Sequence, residues 1–184
     1  GFHLLFSRFN AANTTELINH AFSLYPDVIT AETACGSDAL GVYATDVMPS
    51  RKEICAARNS FITHQSRLKG RSLQRLLMQI NRMQLQVAEQ NLADMRQSIR
   101  CHAGSGYLYF APNGVVRDCS VAGRELGNLR EWNYDLYSLL RSYPARRIRR
   151  EVRRSGCFCT MTELAFCNLL LSARGYLALT ASVL

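Results

Sequence analysis

Four of the seven cysteines of this chain lie between Cys101 and Cys159, set beside glycines and turn residues, and this grouping constrains the chain more than any other feature. From Gly106 the sequence runs GYLYF, then APNG, then VVRDC. Pro112, Asn113 and Gly114 supply the chemistry of a tight turn between two short strands. Cys101 and Cys119 therefore bracket one small hairpin. A Cys-x-Cys pair, Cys157 and Cys159, follows after an arginine-rich stretch. Thiolates at the two ends of a short sheet, joined by a pair that a later helix brings back, can converge on one soft metal centre. The odd cysteine count, with no charged segment leading into a long apolar one at the start, favours thiols or metal ligands over disulfides. Zinc prefers closely spaced pairs. The intervals here are seventeen residues between Cys101 and Cys119 and one between Cys157 and Cys159. A zinc-stabilised binding module with a basic helix is thus an alternative, and a structural extension without metal is another.

The first part of the chain reads as strand, helix, strand. FHLLFS at 2–7 suits a buried strand. Asn13 offers a helix cap with Glu16 three residues on, and Leu17, Ile18, Ala21, Phe22 and Tyr25 recur at helical spacing up to the stop at Pro26. DVITAET at 27–33 then reads as a second strand, parallel to the first through a right-handed crossover. Polar residues beyond the C-terminal ends of parallel strands commonly line ligand cavities. Ser7, Arg8 and Asn10 follow the first strand, and Thr33, Cys35 and Ser37 follow the second; each is either a cavity residue or a cap or turn former. Cys35 is either a small buried hydrophobe or a functional thiol.

Residues 36–50 read as loop. Helical pattern resumes after Pro49, and Gly70 divides a first helix from a long second one. Leu73, Leu76, Leu77, Ile80, Met83, Val87, Leu92, Met95 and Ile99 keep a three-to-four spacing for about seven turns, which carries this helix to Cys101. Its Met78, Met83 and Met95 read as packing. Beyond Cys119, GRELGNLRE at 123–131 reads as a turn-rich segment whose backbone amides could approach a ligand. Short helical sequence begins near Trp132, and an arginine-rich helix starts at Pro144 with Ile148 and Val152 facing inward. Gly156 ends it. Residues 161–184 are apolar and helical, broken at Gly175.

The net charge of +8 is concentrated in residues 141–154, which hold seven arginines against Glu151. This reads as a solvated helix face, since neither RNA-recognition aromatics nor a helix-turn-helix pattern accompanies it; nucleic acid is not the expected partner. His3, His20, His64 and His102 are scattered, with no triad or metal spacing. His102, next to Cys101, is either an outer-sphere hydrogen-bond partner of a metal centre or a turn residue. No apolar run is long enough to span a bilayer, so a membrane is not expected and the cytoplasm is the expected compartment.

The Cys101 segment with Gly114 placed ahead of Cys119, the GRELGNLRE run and the GCFCT run at 156–160 together resemble the C-terminal region of radical SAM oxidoreductases carrying a SPASM or shorter twitch extension. The resemblance covers about residues 100–172, and FSRFNAANTTELINHAFSLYPDVI at 6–29 is similar, more weakly, to the late strands and helix of a radical SAM partial barrel. It implies an α/β fold: the last strand-helix units of a partial parallel barrel in 1–48, a helical connection in 49–100, and an iron-sulfur-binding extension in 101–184. It further implies an auxiliary 4Fe-4S cluster on Cys101, Cys119, Cys157 and Cys159. In the family, CFCT continues with His-Glu-Cys; here Met161, Thr162 and Glu163 stand in those places, which leaves Cys159, Glu163 and Cys167 as alternatives for the last ligand. The family's Cys-x3-Cys-x2-Cys motif, which serves S-adenosylmethionine cleavage, is absent. On this resemblance the chain is a C-terminal fragment, S-adenosylmethionine acts only through an upstream region, an electron donor is a partner, and the substrate is a peptide, an RNA or a small molecule.

Overall fold

The computed structural model describes the chain apart from residues 38–40, 43, 67, 69–71, 155–157, 174 and 178–184. It is a mixed α/β structure with one two-stranded parallel sheet and one three-stranded antiparallel sheet. Strand β1 (Phe2–Phe6), helix α1 (Thr14–Ser23) and strand β2 (Ile29–Thr33) form the expected unit, with β1 parallel to β2 in a register from Phe2 opposite Ile29 to Phe6 opposite Thr33. Alternation decides which face is covered. Leu4, Phe6, Ile29 and Ala31 are buried against Ile18 and Ala21 of α1, whereas His3 and Glu32 meet on the opposite face at 3.5 Å.

The entry to α1 differs from the expected box at Asn13 and Glu16. Asn13 makes no side-chain cap bond. Asn10 performs the turn instead: its Oδ1 accepts the Ser7 amide at 2.9 Å, and its Nδ2 donates to the Leu5 carbonyl at 2.7 Å. These bonds fold the chain back on the end of β1, and a 3-10 turn, Ala11–Asn13, precedes the helix. The stretch expected to be loop contains a short helix, α2 (Ala44–Val47), and a bridge between Ser37 and Val42.

Helix α3 (Arg51–Gln65) begins with a complete capping box, Ser50 Oγ accepting the Glu53 amide and Glu53 Oε2 accepting the Ser50 amide. Helix α4 (Ser72–Asp94) follows. Both pack on the first sheet, where Ala57, Phe61 and Leu85 complete its core, with Phe61 edge-on to Phe6 and Phe22. They also serve its polar edge. Asn81 of α4 receives the Ala31 amide on Oδ1 at 2.9 Å and donates from Nδ2 to the Ala31 carbonyl at 2.7 Å. Gln65 of α3 donates to the Ile29 carbonyl at 3.1 Å. Two side-chain amides thus stand where the backbone of a further strand would pair with β2.

The long helix stops short of Cys101. It ends at Asp94, and Met95 takes a left-handed backbone. Asn91, buried in the last turn, accepts the Ser98 amide at 2.7 Å and donates to Gln97 Oε1 at 2.9 Å, folding residues 95–98 back on the helix end. An apolar period cannot reveal that; a side-chain amide capturing the chain terminates the helix.

The second sheet extends the expected hairpin by one strand. Strand β3 (Tyr109–Phe110) pairs with β4 (Val115–Arg117), and β4 with β5 (Glu125–Asn128), which lies in the segment expected to be turn. Gly114, in the hairpin turn, has φ +90°. An irregularity at Val116 and Arg117 and the φ of +149° at Gly127 bend β5 past Leu139. Helices α5 (Leu136–Arg141) and α6 (Tyr143–Arg154) close over this sheet, burying Leu139, Ala145, Ile148 and Val152 while the α6 arginines line the outer side. Helix α7 (Thr162–Leu170) packs on α4 through Ala165 and Leu169 against Val87. The expected break at Gly175 falls earlier, since α7 is capped at Leu171. Among the described residues no helix is long and apolar enough to cross a membrane.

Candidate functional site

Residues 159–162 bind the two sheets together and create the site. The Thr160 hydroxyl reaches the carbonyls of Thr33 and Ala34 at 3.3 and 3.0 Å, and the Thr162 hydroxyl donates to Glu32 Oε2 at 2.8 Å. From the other side Asn91 Nδ2 donates to the Cys159 carbonyl at 2.9 Å and Gln84 Nε2 to that of Thr162 at 2.9 Å. A rigid helix and the end of a strand therefore fix this segment along its length.

Three of the four cysteines expected in a metal centre come to one core. Cys119 and Cys159 are buried members of the second core, and Cys101 packs against it half-buried; Cys35 packs there too. Cys157 lies outside the described residues. Cys119 ends the hairpin in a defined setting. The neighbouring Asp118 carboxylate is fully buried and accepts from the Cys119 amide at 2.8 Å, the Arg124 amide at 2.9 Å and Arg124 Nε at 2.7 Å. This closes the chain around the Cys119 sulfur, which accepts the Ala122 amide at 3.2 Å. Burial pushes the Cys119 thiol up, while the amides of Gly123, Ala122 and Val121 work in the opposite direction, favouring the thiolate. Cys159 Sγ accepts from Gln97 Nε2 at 3.4 Å.

Cysteine sulfurs are soft donors, and amides directed at sulfur favour the thiolate. Among the described residues no group of three His, Cys, Asp or Glu side chains is placed to hold a single metal ion. Of the alternatives for a further ligand, Cys167 donates to the Gly106 carbonyl at 3.1 Å, and Glu163 lies in the first turn of α7. His102 serves a turn. Its carbonyl accepts the Gly106 amide at 2.7 Å, its own amide donates to Asn168 Oδ1 at 2.8 Å, and burial followed by Arg100 and Arg153 holds its ring below the usual imidazole range.

A cavity of about 360 Å³ opens at the C-terminal ends of β1 and β2. Ser7, Thr33 and Cys35 line it as the strand-end argument expects, together with Glu32, Met161 and Glu163. Arg8, Asn10 and Ser37 do not line it. Asn10 shapes the turn described above, and Ser37 donates to the Ser120 carbonyl. Among the described residues the buried Thr33 hydroxyl has no hydrogen-bond partner.

Cys35 is the residue whose setting the sequence left open. The Thr160 hydroxyl, bonded to the Thr33 and Ala34 carbonyls, brings the Cys159 segment against the residue before Cys35, and both cysteines meet the same core. With Cys159 as donor, and with further help from Thr160 and Met161, Cys35 is lowered to about 6 against the opposing effect of burial, and Cys159 is correspondingly raised. The Cys35 thiol, held below the usual thiol range, lines the cavity. In the metal-free chain, iodoacetamide labelling of Cys35 is expected to rise with a midpoint near pH 6. Substituting Cys159→Ala removes the donor and should move that midpoint up towards the ordinary thiol range. Mass-spectrometric labelling across a pH series reads both, and a wild-type midpoint near that of a free cysteine would refute the assignment. Comparison with family models, curated proteins and solved structures found no match to this chain.

Proposed function

We propose that the chain is the C-terminal part of a radical SAM oxidoreductase whose SPASM/twitch-type extension binds an auxiliary 4Fe-4S cluster. The observation that carries this reading is the setting of Cys119: a buried sulfur facing backbone amides at the end of a glycine-turned hairpin, on the same core as Cys101 and Cys159. Cys101, Cys119 and Cys159 would hold the cluster, with Cys157 from outside the described residues as the expected fourth ligand. When bound, such a cluster supplies an electron-transfer station or an iron that anchors substrate. Asp118 and Arg124 hold the Cys119 turn in shape, and Gln97 donates to the Cys159 sulfur.

The first sheet supports the other half of the reading. Its strands are parallel, joined by a helix, with a cavity at their C-terminal ends whose lining includes Ser7, Glu32 and Glu163, and with side-chain amides closing the β2 edge. That is how the last strand of an open partial barrel would end. Without the Cys-x3-Cys-x2-Cys motif the chain would not generate a radical by itself.

The test is iron, sulfide and zinc content of the chain purified without oxygen. Wild type is expected to hold about four irons and four sulfides, lost in Cys101→Ala/Cys119→Ala. Stoichiometric zinc without sulfide would replace this reading with a zinc-stabilised binding module. A folded wild-type chain that takes up neither metal would leave a structural extension.

A further inference from the structure

We infer that the outer face of helices α5 and α6 binds a single-stranded nucleic acid, its arginines meeting phosphates and its exposed tyrosines stacking on bases. The arginines alone read as a solvated helix face. What the fold adds is their alignment with aromatic rings. Helix α6 turns Ala145, Ile148 and Val152 into the core, so the helical period carries Tyr143, Arg147, Arg150 and Arg154 along the opposite side as one stripe. All four are exposed, Tyr143 by 67%. The stripe runs for about 16 Å along the helix. A second platform, on α5, ends one residue before the stripe begins. Arg141 stands over the Tyr137 ring, its guanidinium carbon 5.1 Å from the ring centre, and donates to the Tyr137 hydroxyl. Both residues are exposed, Tyr137 by 67%. Only Ser142 separates the two helices, and Arg149 donates to the Leu140 carbonyl at 2.5 Å, which fixes the end of α5 against α6.

The kind of partner follows from the chemistry of this face. Residues 141–154 hold seven arginines against Glu151, which pairs with Arg147 at 3.5 Å on the same exposed side. Like charge is crowded there: Arg149 is held below the usual guanidinium range by burial, then by Arg153 and Arg146. A chain of phosphates relieves that crowding. A run of carboxylates would do the same, but it offers nothing to the rings. The bases of a duplex are already stacked within it. Unpaired bases, by contrast, lie flat on phenol and guanidinium planes. Charge and rings together therefore select a single strand.

The inference is independent of the cluster reading, since it uses none of the cysteines. Fluorescence anisotropy of a short labelled oligouridylate, titrated with the whole chain at several salt concentrations, tests it. Wild type is expected to bind, and the logarithm of its affinity to fall with that of salt at a slope of about −2, the value for three phosphates on a single strand. Arg147→Gln/Arg150→Gln should flatten that slope to about −1. Tyr143→Ala should weaken binding about tenfold with the slope unchanged, and Tyr143→Phe should keep the wild-type affinity. An abasic strand of equal length, which keeps the phosphates and loses the bases, should bind wild type at least about tenfold more weakly than oligouridylate does. Because that comparison uses wild type, it stands whatever the variants do to folding. Failure of wild type to bind oligouridylate, or equal affinity for the abasic strand, overturns the inference. Polyglutamate that displaces oligouridylate as well as the unlabelled strand itself does would also overturn it, replacing nucleic acid by an acidic protein.

Discussion

Replacing Asp118 with alanine is expected to lower the stability of the chain by about 3 to 5 kcal/mol, as breaking a buried ion pair from one side does. The carboxylate has no exposure and accepts from two backbone amides and from Arg124 Nε. Its loss strands the Cys119 amide in the core and takes from Arg124 the carboxylate it grips. Because the Arg124 side chain is 26% exposed, its charge can turn towards water, which places the effect at the lower end of the range. Asp118→Asn, which retains one acceptor, should cost less. Urea melts of the two variants measure the difference. The consequence reaches function through the next residue: the turn that Asp118 closes directs the Ala122 amide at the Cys119 sulfur. A change below about 1 kcal/mol for Asp118→Ala would mean that the hairpin end does not depend on this carboxylate and that Cys119 is held by its core contacts alone.

What could be read from the sequence follows the range of the interactions responsible. The β1-α1-β2 unit was legible because one apolar period fixes each element, and Pro26 punctuates the crossing. The box at Ser50 and Glu53 is equally local, a serine followed three residues later by a glutamate, and was available to the same reasoning. Asn13 and Asn10 illustrate a local signal that is degenerate: both asparagines precede the helix, and only the bond from Asn10 back to Leu5 decides between them. The end of α4 was illegible because Ile99 continues the apolar spacing, while the deciding group is the Asn91 amide, whose partners include the carbonyl of distant Cys159. Strand β5 was hidden by Gly127, which reads as turn but serves a bent edge against Leu139, whereas Gly123, with φ +64°, stands before the strand. At the site, the hairpin and its cysteines were plain from Gly114 and the spacing. The approach of the Cys159 segment to the end of β2 was not, since it depends on the Thr160 hydroxyl reaching the Thr33 and Ala34 carbonyls; the sequence signal for Cys35 was its place just after a parallel strand.

The second large effect is expected at Asn81, where leucine matches the volume but removes both hydrogen bonds to Ala31. Ala31 is wholly buried, so its amide and carbonyl would lose their partners without gaining water. At about 1 to 3 kcal/mol for each group left unmade, Asn81→Leu should destabilise the chain by roughly 3 kcal/mol or more. Hydrogen exchange separates this from a general packing loss. The Ala31 amide should lose protection well beyond its neighbours in β2, because that amide bonds to Asn81, whereas Phe61→Ala, also in this core, should lower protection across the whole unit. Equal protection of Ala31 in Asn81→Leu and wild type would show that the β2 edge finds another acceptor. The result also bears on the proposed barrel. If Asn81 and Gln65 complete β2 in place of a strand, any further strand of a longer protein must add beside β1. The cavity at the ends of β1 and β2, with Cys35 in its wall, would then lie at the terminal strand of that sheet, beside the cysteine-bearing extension.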